Sequence, residues 1–240
     1  MTPFEITFDL PRERYDDVGL LKPSAALYVC QEAAGAHCRQ HDLDWDNLQK
    51  KGLFWAVIRV RGEFYRMPCF GETIKAITWP MPTTRSAFPR TTEGYDVAGN
   101  CLFRVTNLWV LMDTEKRTMV LPAKSGVDLE GLILGRELPL PGSIHPEEFK
   151  NRETRVVSAE DIDRNGHMNN TRYMDWLAEL MDGGLPIKGF TACYLNEALP
   201  GQKLTLSWEK NQENMALEIL RQRESGQERT ERIFAVRADF

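Results

Sequence analysis

The sequence has no pair of cysteines at metal-ligand or dithiol spacing. Cys30, Cys38, Cys69, Cys101 and Cys193 are odd in number and scattered, which excludes a C-x-x-C zinc or redox site and points to buried thiols in a reducing compartment. A long apolar run is missing as well: no stretch approaches the roughly 20 residues that cross a bilayer. Residues 1–10 alternate like a strand instead of running from basic to apolar as a leader does. The expected setting is cytoplasmic, with no membrane partner. There is no basic excess either. Thirty Lys and Arg against 35 Asp and Glu give a net charge of -5. With no Lys/Arg-rich tail and no basic helix-turn-helix, nucleic acid is not a partner. Only four histidines are present. Three of them, His37, His41 and His145, have no partner motif and are expected to be solvated, and no metal and no cofactor is indicated.

What is present suffices for a sizeable core, since 42% of the residues are hydrophobic and 10% aromatic. A strand at Glu5 to Leu10 is followed by a helix that Pro23 and Ser24 open and that runs to about Gln40. Its Ala25, Ala26, Ala33, Ala34, Gly35 and Ala36 let it lie close against a sheet. Alternating and β-branched segments then predict strands at 54–61, 72–79, 88–95 and 101–113. Between about Ser125 and Glu148, Gly and Pro recur and break both helix and strand. After them the order returns: a strand near Arg155, a polar loop, a helix from Asn170, and strands near 190–195, 203–208, 215–222 and 229–238. The run Arg66 to Ile74 lies on Asn196 to Leu204 without a gap, which makes the second half a repeat of the first. The fold class is therefore α+β, a double hot-dog: two tandem helix-wrapped antiparallel sheets forming a pseudo-dimer by joining edge to edge. The boundaries are 1–124 for the N-terminal half, 125–148 for a linker and 149–240 for the C-terminal half. A chain that already holds its own pseudo-dimer is compatible with a monomer or a homodimer.

The densest chemistry lies in Asp161-Ile162-Asp163-Arg164-Asn165-Gly166-His167-Met168-Asn169-Asn170, where an acid, amides and an imidazole precede an amphipathic helix with Tyr173, Trp176, Leu177, Leu180 and Met181 at helical spacing. Asp and Asn before a helix are commonly caps. His167 has no capping value, and it is what turns the loop toward function.

Asp163-x-Asn165-x-His167-Met168-Asn169-Asn170-x-x-Tyr173-x-x-Trp176 is similar to the signature of the acyl-acyl-carrier-protein thioesterases, which include the plant fatty-acyl thioesterases and shorter bacterial relatives. Thr78-Trp79, Trp109 to Asp113 with Lys116-Arg117 and Pro122, and Tyr194-Leu195-Asn196-Glu197-Ala198 support the resemblance, which covers nearly the whole chain. Ala198 stands where plant members have a cysteine, so a cysteine nucleophile at that position is absent. With no organellar leader before the first strand, the resemblance is to the bacterial branch.

The resemblance implies hydrolysis of fatty acyl thioesters on acyl carrier protein, a step of fatty-acid synthesis, with catalytic residues Asp163, Asn165, His167 and Glu197. Hydrolysis needs a base for water and donors for the oxyanion. Glu197, reaching the site from a separate strand, is the expected base. Asp163 orients His167, and Asn165 with N–H groups near Asn169 holds the carbonyl oxygen. An acyl-coenzyme A thioesterase and a noncatalytic acyl-thioester-binding module are the alternatives. Cys193 is expected to be a packed thiol on the same strand side as Glu197. In the first half Leu20-Leu21-Lys22 replaces the polar loop and Met67 replaces Glu197. Phe54, Trp55, Ile58 and Trp79 are candidates to line an acyl pocket, and Arg85, Arg90, Lys116 and Arg117 to meet an acidic carrier protein.

Overall fold

The computed structural model describes residues 2–181, 186–222 and 230–240, and the chain divides into two units, Met1–Pro141 and Gly142–Phe240.

Unit 1 opens with β1 (Phe4–Phe8) and a 3-10 turn, Arg12–Arg14. The helix α1 (Pro23–Arg39) starts with proline at its first turn, where the missing N–H costs nothing. Ala25, Ala26, Val29, Ala33 and Ala34 on this helix are buried, and their small side chains let it pack on the sheet. After α2 (Trp45–Gln49), capped by Asp44, come β2 (Leu53–Phe64), β3 (Ile74–Pro80), β4 (Phe88–Tyr95), β5 (Cys101–Asp113), β6 (Met119–Val120) and α3 (Pro122–Ser125). The strands pair antiparallel in the order β1-β3-β4-β5-β2, with β6 also on β5. The helix covers one face. Residues 131–138 cover the other: Leu132 N–H donates to Pro80 O, and Trp79 Nε1 donates to Glu137 at 3.1 Å. Arg136 meets the buried Glu93 at 2.9 Å.

Unit 2 repeats the layout. Its elements are β7 (Asn151–Val156), a 3-10 turn Ala159–Asp161, α4 (Arg172–Leu180), β8 (Gly189–Tyr194), β9 (Lys203–Lys210), β10 (Asn214–Gln222) and β11 (Thr230–Asp239). Their order is β7-β9-β10-β11-β8, the order of unit 1. Each unit is a hot-dog, a helix held against an antiparallel sheet, and the chain is a double hot-dog. On α4, Tyr173, Met174, Trp176 and Leu177 are buried, each worth about 1.5–3 kcal/mol of burial. Tyr173 stacks on Phe234 at 4.7 Å between ring centroids.

Several expectations need correction. The second helix begins at Arg172, two residues past Asn170, because Asn169 Oδ1 accepts from both the N–H and the hydroxyl of Thr171 and spends the intervening residues on a turn. His37 is not solvated: it is 2% exposed, stacked on Phe4. Arg90 is no surface charge, since it lies inside β4 at 4% exposure. The four aromatic and aliphatic pocket candidates do not share a face. Trp55 packs on Phe88 on the helix side, Ile58 packs with Ala87, Leu108 and Val110, and Trp79 turns to Glu137 on the opposite face. The short elements α2, β6 and α3 carry no period long enough to read from the sequence. The start of the expected strand at 229 lies outside the described residues.

Candidate active site

The polar loop is built by its own backbone. Asp163 N–H donates to His167 O at 2.8 Å, and Gly166 N–H returns to Asp163 O at 3.0 Å. Gly166 closes this turn at φ +82, a left-handed conformation that only glycine adopts without strain. Asp161 anchors the base of the loop. Its carboxylate accepts from the Ser158 backbone and hydroxyl, each at 2.9 Å, and from Arg172 Nε at 2.8 Å. Burial acts to raise the Asp161 pKa, but these hydrogen bonds outweigh it and hold the group below the usual carboxylate range.

One backbone hydrogen bond ties the loop to the second half of the site. Met168 N–H donates to Ala198 O at 2.8 Å, and the neighbours on either side, His167 and Glu197, are thereby brought together. His167 Nε2 lies 3.2 Å from Glu197 Oε2. The His167 side chain is 13% exposed and that of Glu197 42%, so the pair is rooted in protein and reachable from solvent. Arg221 holds the Glu197 segment from the other side, its Nη1 donating to Glu197 O at 3.1 Å and to Gln202 Oε1 at 2.8 Å. Below the pair, Tyr194 donates its hydroxyl to Asn170 O at 3.0 Å, and its phenol is pushed up by burial.

Of the four expected residues, His167 and Glu197 are brought into contact, and Asp163 and Asn165 pair with each other in the same loop. Asp163 Oδ1 accepts from Asn165 N–H at 2.8 Å, and Asp163 Oδ2 from Asn165 Nδ2 at 3.3 Å. The carboxylate is thus a brace for the Asn165 amide. The N–H of Asn169 is spent on Asp161 O at 2.7 Å, that of Thr171 on Asn169 Oδ1 and that of Arg172 on Asn169 O, so these are not free for an oxyanion. Cys193 is buried, its thiol 3.6 Å from Gly142 O. Because β8 ends at Tyr194, strand alternation does not carry its direction on to Glu197. Sequence reasoning missed Arg221 and Gln202. The available signal was the repeat, which sets Gln202 on Glu72, and Glu72 accepts from Cys69 N–H as Gln202 does from Leu199 N–H.

Unit 1 contains the same loop without the chemistry. Asp16 N–H donates to Leu20 O, Gly19 N–H to Asp16 O, Lys22 N–H to Arg14 O and Leu21 N–H to Pro68 O. Bridges Tyr15–Leu21 and Ile162–Met168 match. Position by position, Asp16 stands for Asp163, Val18 for Asn165, Leu20 for His167 and Met67 for Glu197. Among the described residues no cluster of three or more His, Cys, Asp or Glu is placed to hold a metal ion, and no helix is long and apolar enough to cross a membrane.

Residues 2–123 match the family described as acyl-ACP thioesterase N-terminal domain, and residues 144–235 its C-terminal domain. The chain is 26% identical over 231 residues to a chloroplastic dodecanoyl-acyl-carrier-protein hydrolase of Cinnamomum camphora, covering 85% of this chain and 59% of the relative. It is 24% identical over 165 residues to a chloroplastic acyl-acyl-carrier-protein hydrolase of Cuphea viscosissima, covering 63% of this chain and 40% of the relative. The chain thus spans about half the length of these relatives. A solved acyl-ACP thioesterase from Bacteroides thetaiotaomicron shares the fold at a TM-score of 0.84 and 20% identity, covering 99% of this chain and 97% of that one. The 12:0-ACP thioesterase of Umbellularia californica does so at 0.78 and 19%, covering 98% and 96%.

Proposed function

The chain belongs to the acyl-ACP thioesterase family, and from that premise we propose that it hydrolyses fatty acyl thioesters carried by acyl carrier protein, using water and no cofactor. The observation that carries the reading is the His167–Glu197 contact of 3.2 Å, made by a loop in which Asp163 also braces the Asn165 amide.

The geometry supports the following roles. The Glu197 carboxylate takes a proton from water as the water oxygen bonds to the thioester carbon. Charge develops on the carbonyl oxygen, where the Asn165 amide, held by Asp163, donates an N–H. The carbon–sulfur bond then breaks, and Glu197, now a neutral acid, returns the proton to the departing sulfur. The products are a carboxylic acid and the carrier thiol, and atoms and charge balance. His167 holds the Glu197 oxygen through its Nε2 and fixes its approach. No thiol is needed: Ala198 fills the adjoining position and is fully buried. For the acidic carrier, Arg85, Lys116 and Arg117 are exposed in unit 1 and remain the cations for docking, whereas Arg90 is removed from that set by its burial.

A steady-state screen over carrier-bound acyl chains of increasing length, with the same chains on coenzyme A in parallel, tests this. Turnover on the carrier well above that on coenzyme A is expected. Reversing Lys116 and Arg117 is expected to raise KM and flatten its salt dependence. A folded protein that hydrolyses no chain length is a binding module, and equal turnover on both carriers removes the carrier-protein assignment.

A further inference from the structure

Glu197 stands on a segment that no strand ladder holds. β8 ends at Tyr194 and β9 begins at Lys203, so residues 195–202 belong to no strand, and the Glu197 side chain is open to solvent. What places this carboxylate is a set of separate hydrogen bonds along the segment. Ahead of it, the N–H groups of Leu195 and Asn196 both donate to Ile233 O, at 2.9 and 3.2 Å, and Asn196 Nδ2 donates to Arg232 O at 2.8 Å. Behind it, Met168 N–H donates to Ala198 O at 2.8 Å. The carbonyl of Glu197 itself accepts from Arg221 Nη1 at 3.1 Å, and the same nitrogen donates to Gln202 Oε1 at 2.8 Å. Gln202 Oε1 also accepts from Leu199 N–H at 2.9 Å. One guanidinium on β10 therefore fastens both ends of the stretch from 197 to 202. Its Nη2 pairs with Glu231, so it arrives with its charge already offset.

The fold does not require this cation. Leu220 pairs with Thr205 as Tyr95 pairs with Lys75, which sets Arg221, the next residue, on Asp96 of unit 1. The repeat sets Asn196 on Arg66, Glu197 on Met67 and Gln202 on Glu72. The backbone anchor is common to both units, since Tyr65 and Arg66 N–H donate to Leu102 O as Leu195 and Asn196 do to Ile233 O. The charges are exchanged. In unit 1 the cation sits on the segment: Arg66 donates to Glu72 through both Nη atoms, each at 2.8 Å, and to Asp96 at 3.3 Å, and all three acceptors are side-chain carboxylate oxygens. In unit 2 the segment carries the neutral Asn196, the cation has moved to the strand, and one of its hydrogen bonds ends on the backbone of residue 197. The Arg221 side chain is also the less exposed of the two, 23% against 45% for Arg66. The unit without the carboxylate at this position turns its guanidinium to surface acids, and the unit with it turns one to the residue that bears it.

We propose that Arg221 is a positioning residue for the base: by fixing the Glu197 carbonyl it sets the direction from which the carboxylate meets water and His167. The inference rests on the reading of Glu197 as the base. An open segment lets its side chains wander unless the backbone is pinned, and a misplacement of about 1 Å costs about 10²-fold in rate. Arg221 acts through the backbone of residue 197 and not on the reacting atoms, so it governs the chemical step and not substrate binding.

The test is a double-mutant cycle in the full chain, with hydrolysis of one carrier-bound acyl substrate as the assay and urea unfolding as the check on folding. Arg221→Met keeps an unbranched stem and removes the donors. Alone it is expected to lower kcat by about tenfold or more, with KM within about twofold of wild type. In a Glu197→Gln background there is no base left to place, and the same exchange is expected to lower kcat by less than about twofold. Equal losses in the two backgrounds make the guanidinium merely structural and overturn the proposal, as does a raised KM at unchanged kcat. Near-normal kcat in Arg221→Met beside a slow Glu197→Gln overturns the positioning role alone. Near-normal kcat in Glu197→Gln overturns the base and the positioning role together. Should Arg221→Met fail to fold, Arg221→Lys decides: lysine keeps the charge for Glu231 but lacks the planar fork, so a severalfold lower kcat at unchanged KM is expected, and wild-type kcat refutes.

Discussion

Glu197→Gln isolates the base from everything else the side chain does. Glutamine keeps the length and a hydrogen bond to His167 but cannot take a proton from water. In the ground state the substitution is mild: the Glu197 side chain is 42% exposed, and an ion pair so open to solvent contributes only about 0–1 kcal/mol. The backbone that places residue 197 is untouched, because Met168 N–H and Arg221 Nη1 bind the carbonyls of Ala198 and Glu197. The transition state suffers more. Loss of a general base costs about 10²-fold or more in turnover, which is about 2.7 kcal/mol of barrier. His167→Ala removes the group 3.2 Å away and is expected to cost as much. If the two act as one unit, the double variant falls by about 10²- to 10³-fold, not the roughly 10⁴-fold of independent losses. The assay is single-substrate hydrolysis of one carrier-bound acyl chain by the four proteins, each checked by urea unfolding. Near-normal kcat in Glu197→Gln, or multiplicative losses in the double variant, refutes the reasoning and passes the base to Asp163 or His167.

Three further outcomes follow from particular contacts. Cys193→Ala is expected to keep near-wild-type turnover, since the thiol faces Gly142 O and not the His167–Glu197 pair; loss of turnover with the fold intact, by circular dichroism, abandons the water mechanism. Burial, with Arg90 beside it, lowers the His37 pKa from 6.5 to about 4, so the unfolded chain binds the proton first as pH falls. Stability is then full above pH 6.5 and declines by about 3 kcal/mol toward pH 4, and in urea titrations His37→Gln should flatten that slope, an unchanged slope excluding His37 as its source. In Gly94→Ala the new Cβ would sit 2.4 Å from the Phe103 ring, which is fully buried, so a loss of about 1–3 kcal/mol is expected; an unchanged urea midpoint would show that the ring can move.

The sequence by itself determined what local pattern can encode. Pro23 and the small residues behind it set α1, alternation set β4 and β5 to the residue, and the repeat of Arg66 to Ile74 announced two units of one layout. The motif from Asp163 to Trp176 marked the loop, and Tyr194 to Ala198 marked its partner. Tertiary structure decided what depends on contacts between distant segments. The Met168–Ala198 hydrogen bond brings His167 up to Glu197, and no spacing in the sequence encodes that distance. Asp163 turned out to brace Asn165 because the tight turn at Gly166 folds the two side chains together. His37 and Arg90 read as surface residues because each alone is polar; only the packing of α1 against β4 buries them, and only the pairing of β4 with β5 sets Asn107 beside them. Side-chain polarity is a local property, whereas burial belongs to whatever the rest of the chain brings against it.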